Sequence, residues 1–194
     1  MRKPDRNRSR TDRKTMTREE SIEFYKAHAR KLFNISLRIV GNDAEAEEIA
    51  QDTILKFITG GSGPQGKLQT DAWLARTCAR KSIDVLRKRH REQALLNEYA
   101  AESSPLTDGE DNEPETVTLN GITVAEVRKA MEDLPEQYRA VLSLVLLEGF
   151  DYEEIAEMSA ESEGTVRTRF SRARARLVEM LKSNRKGKLK ENKR

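Results

Sequence analysis

The sequence predicts an all-α protein of two small helical domains joined by a flexible acidic linker. Apolar residues recur at spacings of three and four, as in amphipathic helices, and no stretch alternates with the period of two that indicates a β-strand. The 194 residues are 36% hydrophobic and 36% charged, which is too few apolar residues for one large core. Residues 98–121 are rich in Ser, Pro, Asp, Glu and Gly, a composition that does not bury enough apolar surface to order itself.

These features divide the chain into five predicted segments. Two helical domains cover residues 17–97 and 122–181, and residues 98–121 link them. A disordered basic arm is predicted for residues 1–16 and a basic low-complexity tail for residues 182–194.

Three amphipathic helices are predicted in the first domain, each preceded by a residue that can cap its N-terminus. The first helix begins after Thr17, which has the capping-box spacing with Glu20, and it ends at Gly41. Residues 60–66 (GGSGPQG) form a loop between the second and third helices, because glycine and proline break regular structure. The predicted caps of these two helices are Asp43 and Thr70, and the third helix is expected from Asp71 to Asn97.

The apolar stripes of these helices define a predicted core. Residues three and four apart lie on one face of a helix, so each stripe faces the other helices. The predicted buried positions are Ile22, Tyr25, Ala29, Leu32, Phe33, Ser36 and Val40, then Ala46, Ile49, Ala50, Thr53, Ile54 and Phe57, and finally Trp73, Leu74, Thr77, Ile83 and Leu86.

The second domain has the pattern of a helix-turn-helix. Pro135 interrupts one helical stripe and Gly149 ends the next, after which Asp151 is expected to cap a short helix through Met158. A four-residue connection, residues 159–162, leads to a last helix from about Glu163 to Leu181. The predicted inward stripes are Val124, Val127, Met131, Leu134, Tyr138, Val141, Leu142, Val145 and Leu146 before the motif, and Val166, Phe170, Ala173, Leu177 and Leu181 within it.

The charge is separated by sign along the chain, although the net charge is only +3. Residues 1–18, 76–91 and 167–194 are basic, whereas residues 98–115 carry seven acids and no base. This distribution is typical of nucleic-acid-facing surfaces joined by an acidic linker. For any single run, a solvated helix face is the alternative interpretation.

The composition excludes several other classes. Cys78, His28 and His90 do not have the spacing of a metal or redox site, so we expect no cofactor. No run approaches the roughly 18 to 20 apolar residues of a membrane span, and the basic N-terminus lacks the apolar segment of a secretory signal. We therefore expect a cytoplasmic protein without membrane insertion.

The last helix carries the strongest functional signal. The second helix of a helix-turn-helix enters the DNA major groove with its N-terminal residues, and arginine there can bind guanine with two hydrogen bonds. An arginine-rich helix that merely closes a bundle is the alternative. The residues predicted to face base edges are Arg167, Thr168, Ser171 and Arg172, and those predicted to flank them toward phosphates are Arg169, Arg174 and Arg176.

Two motif sets carry a family resemblance. Residues 134–181, beginning LPEQYRAVLSLVLLEGFDYEEIAEM, closely resemble region 4 of the sigma-70 family of bacterial RNA polymerase initiation factors. Residues 24–58 and 71–92 (DAWLARTCARKSIDVLRKRHRE) resemble sigma region 2. The chain thus resembles the extracytoplasmic-function (ECF, group 4) subfamily, which implies a non-catalytic subunit that directs core RNA polymerase to promoters and assists DNA melting.

The resemblance implies three sets of binding residues and several partners. The partners would be the polymerase β′ coiled coil and β flap, promoter DNA and an anti-sigma factor. The polymerase-binding set is Glu45, Glu48, Gln51, Asp52 and Lys56; the set for the downstream (minus-ten) element and melting is Trp73, Arg76, Arg80, Lys81, Arg87, Lys88 and Arg89; and the set for the upstream (minus-thirty-five) element is Arg167, Thr168, Arg169, Ser171, Arg172 and Arg174. For Trp73, a place in the core is the favoured interpretation.

Two of the departures from the family pattern fall in the predicted DNA-binding elements. Family members usually have Asn where this chain has Arg80, and Leu-Gly-x-Pro where it has residues 159–162 (SAES). Replacing a glycine that has positive φ costs up to about 1 kcal/mol. Ser162 is expected to replace proline as the cap of the last helix, so the motif should still fold.

Two other functional classes fit the sequence less well. A regulator that binds duplex DNA without polymerase would leave the first domain and its acidic helix face unexplained. A hydrolase that uses the carboxylates of residues 108–115 has no partner histidine or lysine beside them. Neither alternative accounts for the sequence as well as the sigma-70 resemblance does.

Overall fold

The structure, a computed structural model, describes residues 16–60, 66–96, 118–119 and 122–191. The predicted basic arm apart from Met16, most of the predicted linker and the centre of the 60–66 loop lie outside the described residues. The elements are α1 (Arg18–Val40), α2 (Asp43–Thr59), α3 (Lys67–Leu96), β1 (Thr118–Leu119), β2 (Ile122–Thr123), α4 (Val124–Glu132), α5 (Glu136–Leu146), α6 (Tyr152–Ser159) and α7 (Glu163–Glu191). The predicted all-α class is confirmed.

The first domain is a bundle in which α1, α2 and α3 pack on one another. All five predicted core positions of α2 from Ala46 to Ile54 are buried, and α3 contributes Leu74, Ile83 and Leu86. A polar contact crosses this core: the hydroxyls of Ser36 and Ser82 are 2.9 Å apart. A buried hydroxyl needs such a partner, and Ser82 in turn donates to the backbone carbonyl of Cys78 at 2.9 Å.

The start of α1 differs from the prediction. Ile22 and Tyr25 are 45% and 41% exposed, whereas Ile35 and Ile39 are fully buried. Phe24 occupies the inner position instead, because its ring stacks on the ring of Phe57 at a centroid distance of 4.7 Å. The buried face of α1 is therefore rotated by about one residue from the predicted stripe.

The helix ends confirm two predicted signals and correct two others. The Thr17 and Glu20 capping box is present, and Gly41 ends α1 in the left-handed region at φ 69°. However, Asn42 caps α2, since its Oδ1 accepts a 3.0 Å hydrogen bond from the backbone N–H of Glu45, and Asp43 is the first helical residue. Thr70 does not cap α3: the helix begins at Lys67, and the backbone N–H of Thr70 donates to the carbonyl of Gly66 at 2.9 Å.

The second domain comprises α4 to α7, preceded by a short antiparallel ribbon of β1 and β2. This ribbon contradicts the prediction that the chain has no strand, and the Asn120-Gly121 pair between the strands is a common hairpin signal. Val124, Val127 and Leu146 are 43%, 36% and 58% exposed rather than buried.

The last helix is longer than its apolar stripe. The stripe predicted an end at Leu181, but α7 continues to Glu191. Lysine and arginine, which dominate this segment, are good helix formers, and no proline interrupts it. Within the described ranges, no helix is long and apolar enough to cross a membrane.

Candidate nucleic-acid interface

The helix-turn-helix is shaped by local hydrogen bonds at both ends of its turn. Asp151 caps α6 as predicted, in a reciprocal capping box with Glu154. At the end of α6, Ala160 adopts the left-handed conformation at φ 51° and ψ 44°, where the family pattern has glycine. Ser162 then caps α7, because its Oγ accepts a 3.1 Å hydrogen bond from the backbone N–H of Thr165. The prediction that the motif folds with serine in the proline position is confirmed.

A salt bridge closes the turn from the side. The Nη1 and Nη2 atoms of Arg169 donate to the two carboxylate oxygens of Glu161, at 2.6 and 2.7 Å, and the Ser159 hydroxyl donates to the same carboxylate at 3.3 Å. These hydrogen bonds to Arg169 hold the pKa of Glu161 below its ordinary value. Arg169 was predicted to face phosphates, but here its side chain is half-buried and holds the turn.

The outer face of α7 presents the other predicted upstream-element residues to solvent. The three apolar positions Val166, Ala173 and Leu177 are buried, so the opposite side of the helix is exposed. The guanidinium of Arg167 pairs with Glu163 and lies 5.6 Å from the centre of the Tyr152 ring. The remaining exposed members of this face are Thr168, Ser171, Arg172 and Arg174.

The predicted downstream-element residues are not all on one surface. Arg76, Arg80 and Arg87 lie four and seven residues apart, so they share one face of α3, which we call the α3 basic face. Lys81 instead pairs with Asp52 of α2 at 3.0 Å. Arg89 is half-buried and pairs with Glu45 of α2 and Glu136 of α5. These ion pairs join three helices.

Two other members of this set have local contacts. Trp73 is half-buried, and its ring lies 5.6 Å from the ring of Phe57, in accord with the favoured interpretation of a core residue. Lys88 is exposed and lies 3.9 Å from Glu92 of its own helix.

The predicted polymerase-binding residues share the outer side of α2. Glu48, Gln51, Asp52 and Lys56 are exposed, whereas Glu45 is turned toward Arg89. The sequence analysis missed Leu55, whose side chain lies among these residues and is 57% exposed. The sequence pattern that could have revealed Leu55 is an apolar residue in the middle of an otherwise polar helix face.

The two domains contact each other through oppositely charged side chains. Arg38 of α1 pairs with Glu148, which follows α5, and Arg76 of α3 pairs with Glu154 of α6. Arg80 donates to the backbone carbonyl of Glu157 at 3.4 Å. A cleft of about 370 Å³ remains between the domains, and it is lined by residues that include Ile83, Arg87, His90, Val141, Ile155 and Arg169.

No metal site accompanies these surfaces in the part of the chain that the structure describes. No group of three or more His, Cys, Asp or Glu side chains is arranged there to hold a metal ion. Cys78 is a free, buried thiol whose Sγ donates to the backbone carbonyl of Leu32 at 3.3 Å.

Comparison with known proteins identifies the family. The family models described as Sigma-70 region 2 and Sigma-70, region 4 match residues 24–92 and 125–177. The ECF RNA polymerase sigma factor EcfG of Rhodopseudomonas palustris is 30% identical over 151 residues, which cover 78% of each chain. The ECF RNA polymerase sigma factor SigE of Mycolicibacterium smegmatis is 29% identical over 159 residues, which cover 82% of this chain and 60% of that protein.

A solved structure has the same architecture. The sigma factor RpoE of Bartonella quintana, crystallised with the anti-sigma factor NepR, matches with a TM-score of 0.54 and 25% identity, over 84% of this chain and 98% of that chain. The chain belongs to the sigma-70 family, among its ECF sigma factors. Sigma factors bind core RNA polymerase and promoter DNA to start transcription, and they are not enzymes; this assigns the chain to transcription initiation.

Proposed function

We propose that this chain directs core RNA polymerase to promoters by using α7 for the upstream element, α3 for the downstream element and α2 for polymerase. The observation that carries the proposal is the exposed face of α7, which follows a helix-turn-helix turn whose two helices, α6 and α7, both have capped N-termini. A rigid turn fixes the angle at which the recognition helix enters the major groove. Thr168, Ser171 and Arg172 then reach base edges, and Arg174 suits a backbone phosphate.

The downstream element is assigned to the α3 basic face. Strand separation unstacks bases at a cost of a few kcal/mol, and a basic groove that tracks the single strand offsets part of this cost. Arg76, Arg80 and Arg87 supply three cations along one face of a helix. The centre of the 60–66 loop, which the family resemblance assigns to base capture, lies outside the described residues.

The outer side of α2 is assigned to the polymerase. Its acidic side chains suit the basic surface of a coiled coil such as the one in the β′ subunit, because complementary charges steer and orient a complex. Leu55 adds an apolar anchor among them, and apolar anchors at the centre of an interface carry much of its energy. The β flap is the proposed partner of the second domain.

Regulation by an anti-sigma factor is part of the proposal. The RpoE structure contains an anti-sigma factor, and the match covers 84% of this chain. We assign this chain to the cytoplasm, where RNA polymerase acts.

Co-purification with core RNA polymerase, followed by promoter-dependent run-off transcription, tests the function. We expect the chain to bind core enzyme and to support transcripts only from templates with its promoter. Glu48→Arg should reduce co-purification, whereas Glu23→Arg, an exposed site that pairs with Lys26 on its own helix, should not. Tight promoter binding by the chain alone, without binding to core enzyme, would instead favour a polymerase-independent regulator.

A further inference from the structure

Tyr152 lies where the two helices of the helix-turn-helix meet. It is the first residue of α6, and the reciprocal capping box of Asp151 and Glu154 holds the helical turn that carries it. Its ring packs against the ring of Phe170 of α7, with the centroids 5.6 Å apart and the planes tilted by 55°. Aromatic pairs favour such tilted arrangements, so the Tyr152 ring has a defined place between α6 and α7.

The same ring lies under the guanidinium of Arg167. The guanidinium carbon is 5.6 Å from the ring centre, within the roughly 6 Å at which a cation and an aromatic face attract each other. The Nη2 atom of Arg167 also donates to the Oε1 atom of Glu163, one turn earlier on α7, at 2.5 Å. The guanidinium therefore contacts an aromatic ring from α6 and a carboxylate from its own helix.

These contacts leave Arg167 able to bind a base. Its side chain is 66% exposed, and of the five N–H donors of a guanidinium the hydrogen bond to Glu163 uses one. Arg167 lies in the second turn of α7, in the N-terminal part of a recognition helix that contacts base edges. Guanine presents its O6 and N7 acceptors in the major groove to two donors of one arginine.

The two contacts also order the side chain before it binds. A long, exposed arginine side chain loses rotamer freedom when it binds a ligand. A side chain that is already held in its binding orientation does not incur this loss again, and this favours both affinity and a defined direction of binding. In the described ranges, Arg167 is the only arginine that lies over an aromatic ring, which distinguishes it from the neighbouring Arg172 and Arg174.

We propose that Tyr152 and Glu163 are positioning residues that hold Arg167 in the orientation in which its guanidinium binds a guanine of the upstream element with two hydrogen bonds. Tyr152 acts through the face of its ring and Glu163 through its carboxylate, and neither contacts the base. The inference rests on the proposed function of α7. It means that base preference at this position depends on α6 as well as on the recognition helix.

The two roles of the Glu163 carboxylate have opposite effects on DNA binding. A carboxylate near the duplex repels phosphates whatever the base sequence, so Glu163→Gln should tighten binding to a scrambled duplex. The same change releases Arg167, which should then discriminate less between bases. A residue that only stabilises the fold would lower binding to every sequence alike, so the opposite signs identify a positioning role.

The test uses the holoenzyme, formed from core RNA polymerase and this chain, and duplexes randomised across the upstream element. Selection of bound duplexes identifies the preferred guanines, and each is then replaced by 7-deazaguanine, which has a C–H group where guanine has the N7 acceptor. Competition binding gives the ratio of the dissociation constants of the two duplexes, which we call the N7 ratio. Arg167→Ala identifies the guanine whose N7 ratio depends on Arg167.

We expect an N7 ratio of about ten for the unmodified chain, because a hydrogen bond to a charged donor is lost, and a ratio near one for Arg167→Ala. Tyr152→Leu and Glu163→Gln should each lower the ratio about two- to fivefold. Tyr152→Phe should retain it, because phenylalanine keeps the aromatic face. Tyr25→Leu and Glu23→Gln, at exposed sites on α1, are the matched controls and should leave the ratio unchanged.

An unchanged N7 ratio in Tyr152→Leu or in Glu163→Gln would overturn the positioning role of that residue. Loss of a cytosine preference in Glu163→Gln with the N7 ratio unchanged would instead make Glu163 a base-contacting residue. An N7 ratio that is the same for Arg167→Ala and the unmodified chain at every selected guanine would overturn the whole inference.

Two further comparisons keep these outcomes distinct. Circular dichroism checks that each variant folds, and Glu163→Gln, at an exposed site in the first turn of α7, provides the test if Tyr152→Leu does not fold. A holoenzyme with the unmodified chain that selects no upstream sequence would refute the proposed function of α7 and the inference with it. Selection of guanines that do not depend on Tyr152 and Glu163 would refute the inference alone.

Discussion

Replacing Ala160 with glycine should stabilise the helix-turn-helix. Ala160 lies in the left-handed region at φ 51°, where a Cβ atom costs roughly 1 to 2 kcal/mol. Glycine has no such cost, but it makes the unfolded chain more flexible, which offsets about 0.4 to 1 kcal/mol. The side chain is exposed, so no packing is lost. The net expectation is a gain of about 0.5 to 1 kcal/mol in the free energy of unfolding.

Urea denaturation followed by circular dichroism measures this gain. With a slope of about 2 kcal/mol per molar urea, the midpoint of the second-domain transition should rise by roughly 0.3 to 0.5 M. Ala175→Gly is the matched control, because Ala175 is an exposed residue inside α7, where glycine costs about 1 kcal/mol. A midpoint that falls for both variants by similar amounts would refute the argument that backbone strain at Ala160 is relieved.

Three further predictions concern single side chains. Arg172→Ala should weaken binding of the holoenzyme to the upstream element by about 1 to 3 kcal/mol relative to a scrambled duplex, whereas Arg176→Ala should weaken both duplexes alike; a uniform loss for Arg172 would make it a phosphate contact. Burial raises the pKa of Cys78 to about 12, so a thiol reagent at pH 8 should react only after unfolding, and rapid labelling of the folded chain would contradict this. The pKa of Glu161 is lowered by Arg169, so its stabilisation is present above the ordinary carboxyl pKa and is lost as pH falls through the lowered value. Glu161→Gln should therefore reduce Tm at pH 7, which corresponds to a loss of about 1 kcal/mol or less in the free energy of unfolding. The reduction in Tm should be smaller in acid.

Local signals were sufficient for much of the fold. The capping boxes at Thr17 and Asp151 and the glycine at the end of α1 depend on residues within a few positions of each other. The serine cap of α7 is similarly local. Such contacts form within one turn of helix, so the spacing of residue types is enough to predict them.

The sequence analysis was incomplete where neighbouring helices decided the outcome. The inner face of α1 begins at Phe24 rather than Tyr25, since Phe57 of another helix supplies the stacking partner. The assignment of Arg169 and Arg89 to DNA contacts stays a prediction, and the folded chain adds that each has a carboxylate within reach, Glu161 and Glu136 respectively. A sequence shows how many cations a helix carries, and only the packing shows which of them already have a partner.

The sequence by itself determined the helical class, the helix-turn-helix and the family, because these depend on periodicity, turn residues and motif order. Only the tertiary structure decided which charged helix faces contact the other domain. The α3 basic face looks like a DNA-binding surface in the sequence, yet Glu154 and Glu157 of the second domain lie against it. That contact joins residues 77 and 78 positions apart, and long-range pairing between charges depends on how whole helices pack rather than on local spacing.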